Sequence, residues 1–304
     1  MAQSTLKQRF EITPRGPFSL AASALFLGGF APTAHKAAPT ADHLHLAFVA
    51  DDSEQAVGVC LREEDDTVIG KMFGEADKDV VRKQVARILS LDVDGSAFPL
   101  VGEHDPIVGR MQARYPGLRP VCFYSTYEAG AWILIGHRIR ITQAARVKAR
   151  IAEELGDEVD IHGEKQHAFP APTRLLQLES FPGLFGRKIE YLHRLAEATI
   201  EGRLDASRLR SLPQEEAIEA LQQLPGIGIF SAEHILLRGA GDPDYLTLNE
   251  PRLPRAVAMV YNLKAEPSSE ELRAISEGWR PYRTWVTFLL RHMLEDETHE
   301  IAGK

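Results

Sequence analysis

Along the first hundred positions apolar residues come in short runs broken by acidic turns. HLHLAFVA (43–50) and AVGVCLRE (56–63) are apolar and β-branched, and the acidic DDSEQ between them suits a turn. DDTVIGKMFG predicts a third strand. The period then changes. In ADKDVVRKQVARILSLD, Val80, Val81, Val85, Ile88 and Leu91 recur at helical spacing. From about residue 104 the pattern stays helical, and ITQAARVKARIAEEL sets Ile141, Ala144, Ala145, Ile151, Ala152 and Leu155 on one stripe. Further helices are predicted over 187–202, 213–223, 229–239, 252–263, 268–278 and 282–294. Pro213 and Pro281 lie at or near first-turn positions, and SSEE (268–271) has the form of a capping box. The polar GDEVDIHGEKQHAFPAP (156–172), with its Gly and Pro, predicts a loop between two helical groups. The pattern predicts an α+β lobe over 1–108 and an all-helical body over 109–304.

Composition narrows the class. The chain has 304 residues, 44% hydrophobic and 26% charged, which suits a globular protein of two domains or of one domain with an added lobe. No stretch approaches the ~20 uncharged apolar residues of a membrane span. The opening MAQSTLKQRFEITPRG lacks the apolar core of a secretory signal. Two cysteines, Cys60 and Cys122, are too few for a disulfide framework or a structural zinc site. A reduced, cytoplasmic protein is expected. The net charge of −8 argues against a polyanionic partner until its distribution is considered. Residues 1–109 carry 10 basic and 16 acidic side chains, residues 110–240 carry 17 and 16, and residues 241–304 carry 8 and 11. A polyanion would therefore meet the middle segment, through backbone donors and a few arginines.

One stretch there carries chemistry: AIEALQQLPGIGIFSAEHILLRGAG, residues 217–241. A helix ends, LPGIG turns tightly, and a second helix begins near Ile229. Gly226 and Gly228 permit close backbone approach, and the first amides of the next helix lack partners inside it. Such a terminus, with Ser231 in its first turn, suits a phosphodiester. The plainer alternative is a helical hairpin whose glycines only make a corner.

The pattern LPGIG-x-x-SA-x-x-x-L-x-RG-x-G-x-PD resembles the helix–hairpin–helix DNA glycosylase superfamily, in particular its DNA-3-methyladenine glycosylase II branch. RGPFSLAASALFLGGFAP, RYPGLRPVCFYSTYEAGAWILIGHRIRITQAARVKARI, FPAPTRLLQLESFPGLFGRKIEYLHRLAEATIEGRL and GWRPYRTWVTFLLRH are similar to further blocks of that branch, in the same order. The resemblance implies a TBP-like sheet lobe beside an all-α body of two helical subdomains flanking a cleft. It implies a monofunctional enzyme, expected to be monomeric, that flips an alkylated purine out of duplex DNA and hydrolyses its N-glycosidic bond in base-excision repair. No metal is required for that chemistry. A monovalent cation, sodium or potassium, could bind the hairpin through the carbonyls of Gln222, Leu224 and Ile227.

The family's catalytic aspartate pair corresponds here to Asn249 and Glu250, after the matching Pro243–Asp244 landmark. Glu250 takes the catalytic position with one extra methylene; alternatively it is a first-turn acid favouring the helix dipole. The base-pocket aromatics correspond to Phe230, His234 and Arg291. Of these only Phe230 keeps a π surface of the usual kind, and Arg291 would repel a cationic base yet could stack on a neutral one. Arg138, in IGHRI, takes the place of the residue that wedges into the emptied stack; alternatively it belongs to a polar helix end. Phe230 and Ser231 stand where bifunctional relatives carry a lysine nucleophile, so no Schiff-base step is expected. The four-cysteine iron–sulfur pattern of some relatives is also missing. Two other readings remain: a damage-binding protein with little or no cleavage, and a glycosylase with altered lesion preference.

Overall fold

The computed structural model describes residues 8–30, 32 and 43–299. The expected 1–108 lobe therefore includes positions outside the described residues. Its sheet combines β1 (Gln8–Ile12), β2 (Leu44–Val49), β3 (Ala56–Glu64) and β4 (Thr67–Phe73), with α1 (Leu20–Gly29) between the first two strands in sequence. The strand order is β1-β4-β3-β2 and every pairing is antiparallel. α2 (Lys78–Ile88) follows, with Asp77 accepting the amides of Asp79 and Val80 at its N-terminus. Val57, Val59 and Leu61 of β3 join Val81, Val85 and Ile88 of α2 in one core.

Beyond Leu91 the chain is mainly helical. α3 (Phe98–His104), α4 (Pro106–Arg114), α5 (Thr126–Gly136) and α6 (Ile141–Leu155) lead to a departure from the pattern. The stretch read as a loop contains a hairpin, β5 (Glu158–Ile161) paired with β6 (Glu164–His167), so the body is not all-α. The hairpin covers the sheet face opposite α2, where Val159 and Ile161 pack on Cys60 and Phe73. Gly58 makes this possible, because a Cβ there would stand 2.6 Å from Ile161 Cγ1. The hairpin's strands are only four residues long and apolar alternation is confined to Val159 and Ile161 of β5, too little to stand out in a polar stretch.

α7 (Pro172–Leu175), α8 (Lys188–Ile200), α9 (Ala206–Ser211), α10 (Gln214–Gln222) and α11 (Ile229–His234) follow. α11 runs on into a π-helical stretch, Ile235–Ala240. α12 (Arg252–Val260), α13 (Ser269–Glu277) and α14 (Arg283–Thr298) complete the body, and the Ser268–Glu271 capping box forms as expected. The body has two cores. One joins α5, α6, α8, α10 and α11. The other joins Phe98 and Val101 of α3 and Val108 and Met111 of α4 to the three C-terminal helices. Among the described residues no helix is long and apolar enough to cross a membrane.

Arg119 fastens these parts together. Only 1% exposed, it donates to the carbonyls of Pro17 (2.9 Å), Gly16 (3.0 Å), Ser90 (3.0 Å) and Val93 (3.2 Å), and also to that of Arg15. Its guanidinium lies 5.1 Å from the Trp285 ring centroid on α14. A lysine ammonium cannot span this fork of acceptors. Arg119→Lys should cost about 3 kcal/mol, since several buried carbonyls lose a charged donor. Urea unfolding of the two proteins checks this, and a loss under ~1 kcal/mol would show that the fork is dispensable.

Candidate active site

The turn after α10 has the shape that its glycines require. Gly226 has φ +85°, and a Cβ there would stand 2.6 Å from the Tyr191 ring and 2.9 Å from Leu134. Gly228 caps α11 and faces open space. The first helical bond is Ala232 N–H to the Gly228 carbonyl (2.9 Å), which leaves the amides of Ile229, Phe230 and Ser231 ahead of it. Ile229 and Phe230 stand 47% and 43% exposed at this terminus, whereas the Ser231 side chain is buried. Ser231 can thus contribute its amide more readily than its hydroxyl. In the turn itself Leu224 and Ile227 are buried, Gln222 is exposed, and the Leu224 carbonyl accepts the Ile227 amide (3.0 Å).

The helix that begins here organises the loop that follows it. Glu233 on α11 is 2% exposed. Its carboxylate accepts Tyr245 Oη (2.9 Å), Thr247 Oγ1 (2.7 Å) and Asn249 Nδ2 (2.9 Å). Asp244 ties the start of the same loop to α14, accepting the Arg283 amide (3.1 Å) and Nε (2.9 Å) and Arg280 Nη1 (3.0 Å). Between these anchors the loop delivers Glu250, which is 4% exposed. Glu250 Oε1 accepts the Arg252 amide at 3.3 Å from a place before Pro251, outside the first turn of α12. Its other oxygen lies 3.2 Å from Arg291 Nη1.

The structure thus brings Glu250, Arg291 and His234 into one neighbourhood. Arg291 and Arg238 both face His234, and with burial they hold its imidazole down at about 3. The His234 ring meets Phe123 edge-on at 5.6 Å and lies 6.3 Å from Phe230. Arg238 is buried between the rings of Phe30 (4.9 Å), Phe288 (5.3 Å) and Phe26 (5.5 Å), and donates to the Val121 carbonyl (2.6 Å). Burial lowers the Arg238 guanidinium to about 10, and burial also lowers that of Arg291.

Among the described residues, His234 Nε2, Arg238 Nε, Thr287 Oγ1 and Arg291 Nε are buried and find no hydrogen-bond partner. Buried polar groups are nearly always paired, so these atoms are free to accept or donate a further hydrogen bond. Arg138 stands apart, exposed at the turn between α5 and α6, with a left-handed φ of 57°. Left-handed backbone is uncommon outside glycine and points to a constrained tip.

The sequence reading missed Glu233, Arg238, Phe26, Phe30, Phe123 and Phe288. Arg238 was in view, since the RG step is part of the motif. Glu233 had no such signal, because its partners are 12 to 16 residues further along the chain.

No protein-family model matches the chain. A DNA-3-methyladenine glycosylase of Bacillus subtilis is 24% identical over 221 residues, which cover 71% of this chain and 73% of the relative. DNA-3-methyladenine glycosylase 2 of Escherichia coli is 28% identical over 183 residues, 59% of this chain and 61% of that one. The solved 3-methyladenine DNA-glycosylase of Archaeoglobus fulgidus superimposes with a TM-score of 0.76 at 23% identity, covering 96% of this chain and 99% of its own. These likenesses support the helix–hairpin–helix DNA glycosylase superfamily. Among its branches, the similar relatives support that of the DNA-3-methyladenine glycosylases.

The low His234 value has a consequence for stability. An unfolded histidine titrates near 6.5 and this one near 3, so below about pH 6.5 the unfolded chain binds the extra proton. Stability therefore rises with pH across that window. His234→Phe should remove about 2 kcal/mol of the loss that wild type suffers between pH 7 and pH 5. Urea unfolding at both values checks this, and parallel losses in the two proteins would contradict the burial of a neutral imidazole.

Proposed function

We propose that the chain excises alkylated purines, of the 3-methyladenine type, from duplex DNA in base-excision repair. The observation that carries this reading is Glu250: a buried carboxylate, held on a doubly anchored loop, paired with Arg291 and downstream of a hairpin with free amides. The amides around Gly226 and Gly228 and that of Ser231 receive backbone phosphates. Arg138 fills the stack as the damaged nucleotide turns out, and Phe230 and neutral His234 face the base. A purine alkylated at a ring nitrogen already carries positive charge, so it leaves with little acid assistance. Glu250 then stabilises the oxocarbenium-like sugar and orients the attacking water. Lacking a lysine in the hairpin, the enzyme stops at the abasic site and is monofunctional.

The four-stranded sheet with its helix is proposed as the TBP-like lobe, residues 1–108, and the two helical cores as the subdomains of 109–304 that flank the cleft. The carbonyl oxygens of Gln222, Leu224 and Ile227 are hard, neutral donors, a set that fits sodium or potassium. A second lone pair on the Leu224 carbonyl remains for an ion beside the Ile227 amide it accepts. The catalytic chemistry needs no other cofactor. We place the protein in the cytoplasm as a monomer.

One observation favours an altered lesion preference as a second reading. At rest Arg291 neutralises Glu250 at 3.2 Å, and a guanidinium there disfavours a cationic base. The test is a panel of duplexes carrying cationic N-alkylated purines or neutral oxidised and deaminated purines, assayed for abasic-site formation and for binding. Wild type should release the cationic purines without strand cleavage. Arg291→Ala should raise that release by about tenfold, equivalent to ~1.4 kcal/mol, and lower the release of any neutral purine. Release confined to neutral lesions would favour the second reading, and damage-selective binding without release would leave a binding protein.

A further inference from the structure

Away from the cleft, a second group of side chains converges between the sheet and the β5–β6 hairpin. His45 on β2, Cys60 on β3 and His162 in the hairpin turn present ligand-capable atoms that all lie within 4.8 Å of one another. It is the only such group found among the described residues.

Its second feature is the state of His45. The side chain is 7% exposed, and its Nδ1 lies 2.7 Å from Glu164 Oε2. A carboxylate only accepts, so Nδ1 carries the proton and donates it. The bare lone pair is then on Nε2, which is buried and without a partner. A carboxylate that orients one imidazole nitrogen while the other stays free is the usual support of a histidine ligand to a metal. Cys60 is 1% exposed, while His162 reaches in from the solvent side and is steadied edge-on by Phe73 at 4.7 Å. His43 stands beside them, its ring 4.6 Å from that of His45.

We propose that His45, Cys60 and His162 form a metal site for zinc, with Glu164 as the carboxylate that orients His45. Two imidazoles and one thiolate suit that ion and leave a fourth position for water. Tetrahedral ligands about 2.0–2.3 Å from zinc stand roughly 3.5 Å apart, so the side chains need close only by about 1 Å. On binding, the Cys60 S–H bond breaks, a sulfur–zinc bond forms, and the proton passes to solvent. Burial pushes the Cys60 thiol up, and Arg62 and Lys71, which stands opposite Cys60 across the β3–β4 pair, offset only part of that, so the ion itself must draw off the proton. Glu164 supplies compensating negative charge. The count of two cysteines suggested too few ligands for zinc; the fold adds histidines from two other segments. Because His162 lies between α6 and α7 in the chain, the ion would pin that hairpin to the lobe's sheet.

The test uses the full chain, freed of metal with a chelator and titrated with zinc against a chromogenic competitor. One equivalent should bind, and it should raise the melting temperature. Cobalt in place of zinc should give tetrahedral d–d bands and a thiolate-to-cobalt charge-transfer band. Cys60→Ser should abolish the charge-transfer band and weaken zinc binding by about 100-fold, and Glu164→Gln should weaken it by about 10-fold. His162→Asn alters an exposed turn at φ 57°, where asparagine is well tolerated, so it should keep the metal-free melting temperature yet lose tight binding. Absence of the charge-transfer band, or zinc held equally by wild type, Cys60→Ser and His162→Asn, would overturn the proposal and leave adventitious surface histidines as the binders.

Discussion

The site depends on one buried carboxylate that does not face the substrate. Glu233, on the helix after the hairpin, gathers Tyr245, Thr247 and Asn249 and so fixes the course of the chain that ends at Glu250. Burying a carboxylate costs several kcal/mol, and three donors at 2.7–2.9 Å offset that cost only in one geometry. The arrangement therefore specifies position as much as it adds stability. It couples the two parts on which the proposed base excision would rely, the hairpin and Glu250. A misplacement near 1 Å can cost about 100-fold in rate, so such a tether matters where the acid is a glutamate, one methylene longer than aspartate.

Charge in the site is balanced rather than simply negative. Glu250 pairs with Arg291, Arg238 sits in an aromatic cage, and burial, aided by both guanidiniums, keeps His234 neutral. Neutral His234 can stack on a cationic purine without repelling it. In the proposed reaction the paired Arg291 would lower the field that Glu250 exerts on a sugar cation.

Much of this architecture could be read from residues close together in sequence. LPGIG and the small residues after it indicated the hairpin, the Ser268–Glu271 pair indicated a helix start, and the runs around Leu46 and Val59 indicated strands. The same local reasoning took 156–172 for a loop, because Val159 and Ile161 are the only apolar residues of a short polar hairpin. Interactions between distant positions gave no such signal. Glu250 and Arg291 are 41 residues apart, and the two stretches whose carbonyls meet Arg119, 15–17 and 90–93, come from either end of the lobe. The His45–Cys60–His162 group spans three strands of chain that only the sheet and its covering hairpin bring together.

The central claim is that Glu250 supplies the negative charge on which base release depends. Single-turnover excision of a methylated purine from a duplex, with wild type and Glu250→Gln compared at saturating enzyme, tests it most directly. The amide keeps the shape and the contact with the Arg252 amide while removing the charge. The account predicts a rate lower by about 100-fold or more, equivalent to ~2.7 kcal/mol of transition-state stabilisation, with duplex affinity within about twofold of wild type. A Glu250→Gln enzyme that releases the base at the wild-type rate would contradict it.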